Sequence, residues 1–342
     1  MKTMNRFNRL LTAMGATAFI LCGCEQNDSN PVDEAPVAAR ITSTIAAQNT
    51  TDNDRAPSTR ASETSWANGD LIGVSASSTT GTTSYTNIKY AATGTAGNFA
   101  VVNAAGEDND IYFQDQKSTD FSAYYPYAGT NGTLPGTDGI LERTLTAADQ
   151  ASASLPAIDY LWAPAASASS AAPQVKFNFQ HSMSRISLNF KEGDDVTFGD
   201  ELTYTLDGLV LEGTFNTLTG ATTSGTAAGK LENLSVATGS SQGAISYLIL
   251  WPQTVNSATL TVIVDGTTYR AAISFRELPG STSQEKGLAG GYSYLYNVKV
   301  NKTKMIIEEA IITPWTKDPE QDVDAWTVSY THLRAHETSA HL

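Results

Sequence analysis

The chain has 342 residues, 35 of them acidic and 21 basic, and its formal net charge is −14. A surface this acidic repels phosphate backbones, which excludes nucleic acid as a partner. The length predicts two domains. Thr, Ser, Ala and Gly dominate the composition, and no long segment has the apolar period of a helix. The sequence therefore predicts an all-β protein.

The first residues have the pattern of an export signal. Three basic side chains precede an apolar run over residues 10–21, which is too short to span a bilayer as a helix. The run ends at Leu21-Cys22-Gly23-Cys24, which resembles the lipobox of bacterial lipoproteins. The resemblance implies removal of residues 1–23 and diacylation of Cys24, which anchors the protein in the cell outer membrane. An ordinary signal peptide is the alternative.

Residues 24–36 are acidic, polar and contain prolines, which is typical of a tether between a membrane and a domain. Cys24 would then be the one cysteine left after processing, and it carries lipid. An exported protein without disulfides has to rely on packed apolar cores for its stability.

The first predicted strand covers residues 37–47, and one of its faces carries the side chains of Val37, Ala39, Ile41, Ser43 and Ile45. Residues 48–65 follow as a polar loop that contains Arg55 and Arg60 and should be open to proteases. Further strands are predicted in the first half near residues 71–76, 83–90, 98–102, 111–113 and 120–125.

Residues 163–173, which are small, polar and bracketed by prolines, are predicted to be a linker between two domains. After it, strands are predicted over residues 175–190, 201–212, 245–250, 259–264, 267–275, 293–300 and 304–312. Asp265-Gly266 indicates a tight hairpin turn. Short strands at this spacing predict two β-sandwich domains, over residues 37–165 and 171–325.

Several short motifs follow each other along the chain: TRA (59–61), WANGDLIGV (66–74), FSAYYPY (121–127), DYLWA (159–163), FQH (179–181), WPQT (251–254), YLYNV (294–298) and ITPW (312–315). This ordered set is typical of the fimbrillin family, and from about residue 41 to residue 315 the chain resembles that family.

The resemblance implies a type V pilus subunit that is a lipoprotein precursor with two tandem transthyretin-like β-sandwich domains. It also implies assembly with other pilus subunits at the cell surface, in fimbriae that act in adhesion. In polymerising members, an arginine-specific protease cuts beyond the first strand. That strand leaves, and a strand from the next subunit takes its place in the groove.

Mapped onto this chain, the leaving strand covers residues 37–47 and the cut follows Arg60, with Arg55 as the alternative. Arg40 is disfavoured because it would lie within the strand. The candidate donor strand covers residues 304–314, and its apolar side chains are Met305, Ile306, Ile307, Ile311 and Ile312. Two alternatives remain open: the arginines could be ordinary loop residues, and residues 304–314 could be the last strand of their own domain.

Motifs for chemistry are weak, so we expect no enzyme, no catalytic residue, no cofactor and no metal. His181 lies among apolar residues and is interpreted as structural. Two acidic clusters, near residues 107–110 and 194–200, could bind calcium but are more typical of solvated turns. A monomeric glycan-binding surface lipoprotein is the alternative function, and a surface glycosidase fragment is a weaker one.

The last segment, residues 326–342, contains three histidines and has a composition unlike the rest of the chain. A metal-binding tail is one interpretation, since His332 and His336 would share a helix face. The segment also resembles a translated sequencing adapter. We therefore interpret it as a translation artefact and exclude it from the fold.

Overall fold

The computed structural model describes residues 36–46, 65–239 and 244–315, and these residues confirm the predicted all-β class. Within this part of the chain, helical structure is limited to two 3-10 turns, Ala148–Gln150 and Leu155–Ala157. No helix there is long and apolar enough to span a membrane.

The strands are short and follow each other closely along the chain. In order, they are β1 (Arg40–Ile45), β2 (Leu71–Ser77), β3 (Ser84–Ala92), β4 (Phe99–Val101), β5 (Thr119–Tyr125), β6 (Ile140–Thr144), β7 (Leu161–Ala168), β8 (Gln174–His181), β9 (Ser184–Glu192), β10 (Glu201–Val210), β11 (Glu212–Asn216), β12 (Thr222–Ser224), β13 (Ala228–Ala237), β14 (Ala244–Leu250), β15 (Gln253–Thr254), β16 (Ser257–Val264), β17 (Thr267–Ser274), β18 (Gly287–Leu288), β19 (Tyr292–Asn301), β20 (Lys304–Ile307) and β21 (Ile311–Pro314).

The first half of the described chain forms one seven-stranded sheet in the order β1-β8-β7-β5-β2-β3-β4. The sheet curls far enough for Thr42 of β1 to form an isolated bridge with Asn98, next to β4. It encloses a set of buried apolar residues between Ala39 and Phe179, which we call the first core. In β8 every second residue is buried, so one face of that strand packs into this core.

The second half surrounds a separate set of buried residues, mostly between Met183 and Trp315, which we call the second core. Two main sheets cover it. One has the strand order β14-β9-β19-β20, with β21 also paired to β19, and the other has the order β13-β10-β16-β17. A small pair, β15 with β18, completes this half.

A third sheet of three strands, β12-β11-β6, connects the two halves of the chain, because β6 precedes β7 in sequence but pairs with β11. The rings of Tyr160, Phe215 and Trp251 stack there, with centroid distances of 4.7 and 5.7 Å. Gly220 lies so close to Trp162 that an added Cβ would be 2.7 Å from the indole ring. The contact therefore requires a residue without a side chain.

The linker predicted over residues 163–173 is wrong. Most of that segment is the end of β7 and the turn into β8, and β7 pairs with β5 inside the seven-stranded sheet. Alanine and serine have low strand propensity, but Ala163 and Ala168 are buried there, and tertiary packing overrides the local preference. β8, which the sequence assigned to the second half, belongs to the first core. The tandem transthyretin-like arrangement and its domain bounds remain predictions.

Candidate functional site

β1 has backbone partners along both of its edges. On one side it pairs with β8 in parallel, from Arg40 opposite Gln174 to Ile45 opposite Phe179. On the other side, the Ser43 amide donates to the Gly97 carbonyl at 2.8 Å. All other pairings in this sheet are antiparallel. β1 thus lies in a slot between two parts of the sheet.

The inward face of β1 closes the first core. Ala39, Ile41, Ser43 and Ile45 are each at most 6% exposed, and Val37 is half-buried. This confirms the face predicted from the alternation of the sequence. The residues between them point outward, and Thr42 donates its hydroxyl to the Val175 carbonyl at 3.2 Å.

Aromatic rings line the slot beneath β1. Trp66, in the turn before β2, makes edge-on contacts with Phe99, Tyr125 and Phe179, with centroid distances of 5.1 to 5.5 Å. The turn itself is held by Asp70, whose carboxylate accepts the Ala67 amide at 2.7 Å. Without β1, the slot would be an apolar groove flanked by unpaired backbone groups.

At position 43 the backbone of β1 approaches Gly97 closely. Gly97 has a φ of +74°, and a Cβ added there would be 2.0 Å from the Ser43 carbonyl oxygen. The Ser43 hydroxyl is buried and makes no hydrogen bond to any described residue. Sequence reasoning placed Ser43 on the inward face but gave no signal that its hydroxyl is unsatisfied, because that depends on distant residues.

The predicted lipidation and cleavage residues, Cys24, Arg55 and Arg60, lie outside the described residues. The described chain stops at Ala46 and resumes at Ser65, so both arginines fall in the connection between β1 and the Trp66 turn.

The candidate donor segment lies at the edge of a sheet around the second core. β20 and β21 both pair with β19, Ile307 opposite Val298 and Ile311 opposite Leu295. The segment has one residue more than β19 between these pairs, which is a bulge. Met305, Ile307 and Ile312 pack against the second core, whereas Ile306 and Ile311 are 40% and 44% exposed.

His181 lies in a buried cluster, which fits the structural interpretation made from the sequence. Its Nδ1 is 2.9 Å from a carboxylate oxygen of Asp159, and its ring stacks on Trp315 at 4.1 Å. Sequence reasoning missed the neighbouring Arg185, which is 2% exposed. The Arg185 guanidinium lies over the rings of Tyr247 and Trp315 and donates to Ser293.

Of the two acidic clusters, the one near residues 107–110 accepts hydrogen bonds from tyrosine hydroxyls. Asp108 accepts the Tyr112 hydroxyl at 2.8 Å, and Asp110 accepts that of Tyr90 at 2.9 Å. Burial, and then the negative charge of Asp110, raise the pKa of Tyr90 far above its usual value. Across the described ranges, no three His, Cys, Asp or Glu side chains are grouped so that they could hold a metal ion.

Comparison with known proteins adds relatives along most of the chain. A protein of Bacteroides uniformis, named as a candidate fimbrium subunit (Fim1C), is 27% identical over 324 residues, covering 90% of this chain and 94% of its own. The crystal structure of a candidate cell adhesion protein from Bacteroides ovatus is similar with a TM-score of 0.70 and 31% identity, covering 83% of this chain and 99% of the other.

A second crystal structure, of a candidate cell adhesion protein from Bacteroides uniformis, shares the fold with a TM-score of 0.59 at 22% identity, covering 84% of this chain and all of the other. The sequence model of the fimbrillin-like family matches residues 59–315, which include every strand except β1. The relatives above are named as fimbrial or cell adhesion proteins. The chain belongs to the fimbrillin-like family.

Proposed function

We propose that this chain is a subunit of a cell-surface fimbria that acts in adhesion and is assembled by donor-strand exchange. In this proposal β1 leaves the first core, and a strand from the next subunit replaces it. The observation that carries the proposal is the slot of β1: a six-residue strand, paired in parallel, closes an otherwise antiparallel sheet.

Removal of β1 would expose an apolar groove to water, which is unfavourable. Burying an isoleucine side chain contributes about 1.5–3 kcal/mol, so Ile41 and Ile45 together contribute about 3–6 kcal/mol. The edge of β8 and the Gly97 carbonyl would also lose their partners. A strand that restores both the pairing and the burial is therefore strongly favoured in the groove.

Proteolysis would make β1 removable. A cut after Arg60, or after Arg55, would break the only covalent connection between β1 and β2, so that hydrogen bonds and apolar contacts alone would hold β1. Arg60 is preferred because it lies in the TRA motif before the Trp66 turn. An arginine-specific protease is the partner that this step requires.

The donor strand in this proposal is the segment of residues 304–314 in a neighbouring subunit. Its place at a sheet edge supports the proposal, because an edge strand separates from one partner strand only. The segment carries five large apolar residues, Met305, Ile306, Ile307, Ile311 and Ile312, and those on its inserted face supply side chains for the groove. To act as a donor it would first have to leave β19.

We further propose that diacylated Cys24 and the tether of residues 24–36 hold the precursor at the outer membrane, with the folded part exposed on the cell surface. This arrangement would deliver subunits to the site where the protease acts and the fimbria grows.

Limited digestion tests the proposal. Full-length protein in mild detergent is treated with a low dose of trypsin, and the new N-terminus and the unboiled gel pattern are read together. The proposal predicts a new terminus at Ala61 or Ala56, loss of the β1 fragment and a ladder of polymers. A double variant, Arg55→Gln with Arg60→Gln, should abolish the ladder, whereas Arg270→Gln in β17 should not.

An intact connection between β1 and β2 after digestion, with a stable core, would refute activation by cleavage. Glycan binding by the uncut monomer, without any ladder, would favour the alternative of a monomeric surface lectin.

A further inference from the structure

Ser43 is the one polar residue among the inward side chains of β1. It is 5% exposed, and its neighbours on the same face are Ile41 and Ile45, each 3% exposed. Its hydroxyl oxygen is buried without a hydrogen-bond partner in the described part of the chain. The residue opposite it in β8 is Phe177, which is fully buried and offers no side-chain acceptor.

A buried hydroxyl without a partner loses its hydrogen bonds to water and gains none in return. An apolar side chain of similar size at this place would not carry that cost. Gly97, whose carbonyl accepts the Ser43 amide, holds the backbone close at this point, so β1 has little room to turn the hydroxyl toward solvent. The burial of Ile41 and Ile45 stabilises β1 in its slot, and the unsatisfied hydroxyl of Ser43 offsets part of that stabilisation.

Resting on the proposed function, we propose that the strand which replaces β1 carries a small apolar side chain in the place of Ser43. Ser43 makes the resident strand the weaker of the two competitors. After cleavage, the exchange then runs toward the incoming strand, because the same groove accepts it without an unsatisfied hydroxyl.

The candidate donor segment meets this requirement. Its bulge puts Met305, Ile307, Ala310 and Ile312 on the buried side, and leaves Glu308 and Glu309 exposed. Inserted in the direction of β1 with its bulge retained, Ile307 takes the place of Ile41, Ile312 that of Ile45, and Ala310 that of Ser43. A regular strand without the bulge would instead turn one of the two glutamates inward, which is strongly unfavourable.

The first experiment uses the uncut full-length protein and needs no proteolysis. Hydrogen exchange of the β1 amides is compared among the natural chain, Ser43→Ala, and Thr44→Ala as the matched control, whose side chain is exposed. Ser43→Ala should slow exchange about tenfold, because removal of the hydroxyl favours the closed state. Thr44→Ala should leave it unchanged. Equal exchange in Ser43→Ala and the natural chain would overturn the inference.

The second experiment uses the trypsin-cut protein and labelled peptides of residues 36–46 and 303–315. The Ser43→Ala form of the first peptide should bind about tenfold more tightly than the natural form, and Ala310→Ser should weaken the second about tenfold. Equal affinities, with β1 released, would refute the requirement at position 43 and leave strand exchange intact. If the cut protein keeps β1 and takes up no peptide, the proposed exchange itself fails, and the requirement falls with it.

Discussion

Replacing Gly97 by alanine should displace β1 without touching β1 itself. Gly97 has a φ of +74°, and the added Cβ would be 2.0 Å from the Ser43 carbonyl oxygen, where ordinary contacts begin at 3.4 Å. The two backbones must therefore separate by more than 1 Å. That separation breaks the hydrogen bond from the Ser43 amide to Gly97 and lifts Ile41 and Ile45 from the first core.

The matched control is Gly106→Ala. Gly106 has a φ of +84° and nothing within 4 Å of an added Cβ, so alanine there suffers only the backbone cost of about 1–2 kcal/mol. Gly97→Ala suffers the same cost, a lost hydrogen bond of about 1 kcal/mol and a partial loss of isoleucine burial of about 1–3 kcal/mol. We therefore expect Gly97→Ala to lower the free energy of unfolding by about 2–4 kcal/mol more than Gly106→Ala.

Urea unfolding of both variants measures the difference, and hydrogen exchange locates it. The β1 amides should lose protection in Gly97→Ala and keep it in Gly106→Ala. Equal losses of stability, with β1 protection unchanged in both variants, would show that β1 does not lie against Gly97.

Two further predictions concern burial and pH. Ile41→Ala should lower the free energy of unfolding by about 2–5 kcal/mol, whereas the outward Thr44→Ala should change it by less than about 0.5 kcal/mol in the same urea titration. The pKa of Asp149 is raised by burial but lowered more by hydrogen bonds from Thr146 and Arg143, so the net shift is downward. A lowered pKa stabilises the fold above about pH 4 and loses that effect as the pH falls. The natural chain should therefore have a higher free energy of unfolding than Asp149→Asn, and this difference should shrink in acid. A difference that is constant with pH would contradict the lowered pKa of Asp149 in the folded protein.

Local signals predicted much of the fold. The hairpin at Asp265-Gly266 is confirmed, since both residues have positive φ, 48° and 73°, and join β16 to β17. The inward face of β1 follows from alternation, and the predicted strands at residues 120–125 and 293–300 correspond to β5 and β19. In these elements the local order of residue types indicates the structure, so they can be predicted without knowledge of their distant partners.

Other strands depend on partners far away in the chain. β13 was missed because its buried residues, Leu231 and Leu234, are three apart, and Asn233 between them has a φ of 57°. This irregularity interrupts the alternation. β7 was taken for a linker because its small residues pack only once β5 and β8 flank it. The unsatisfied hydroxyl of Ser43 is likewise a property of the assembled sheet.

A disulfide between β1 and β8 tests release of the first strand most directly. Thr44 and Asn178 are exposed Cα partners in adjacent strands, and a strand spacing of about 4.7–4.9 Å lies within the Cα separation that a disulfide spans, which suits the variant Thr44→Cys with Asn178→Cys. After trypsin, the oxidised variant should keep β1 and form no ladder, and reduction should restore the ladder to the level of the natural chain. A ladder that forms equally well with the disulfide closed would contradict exchange of β1.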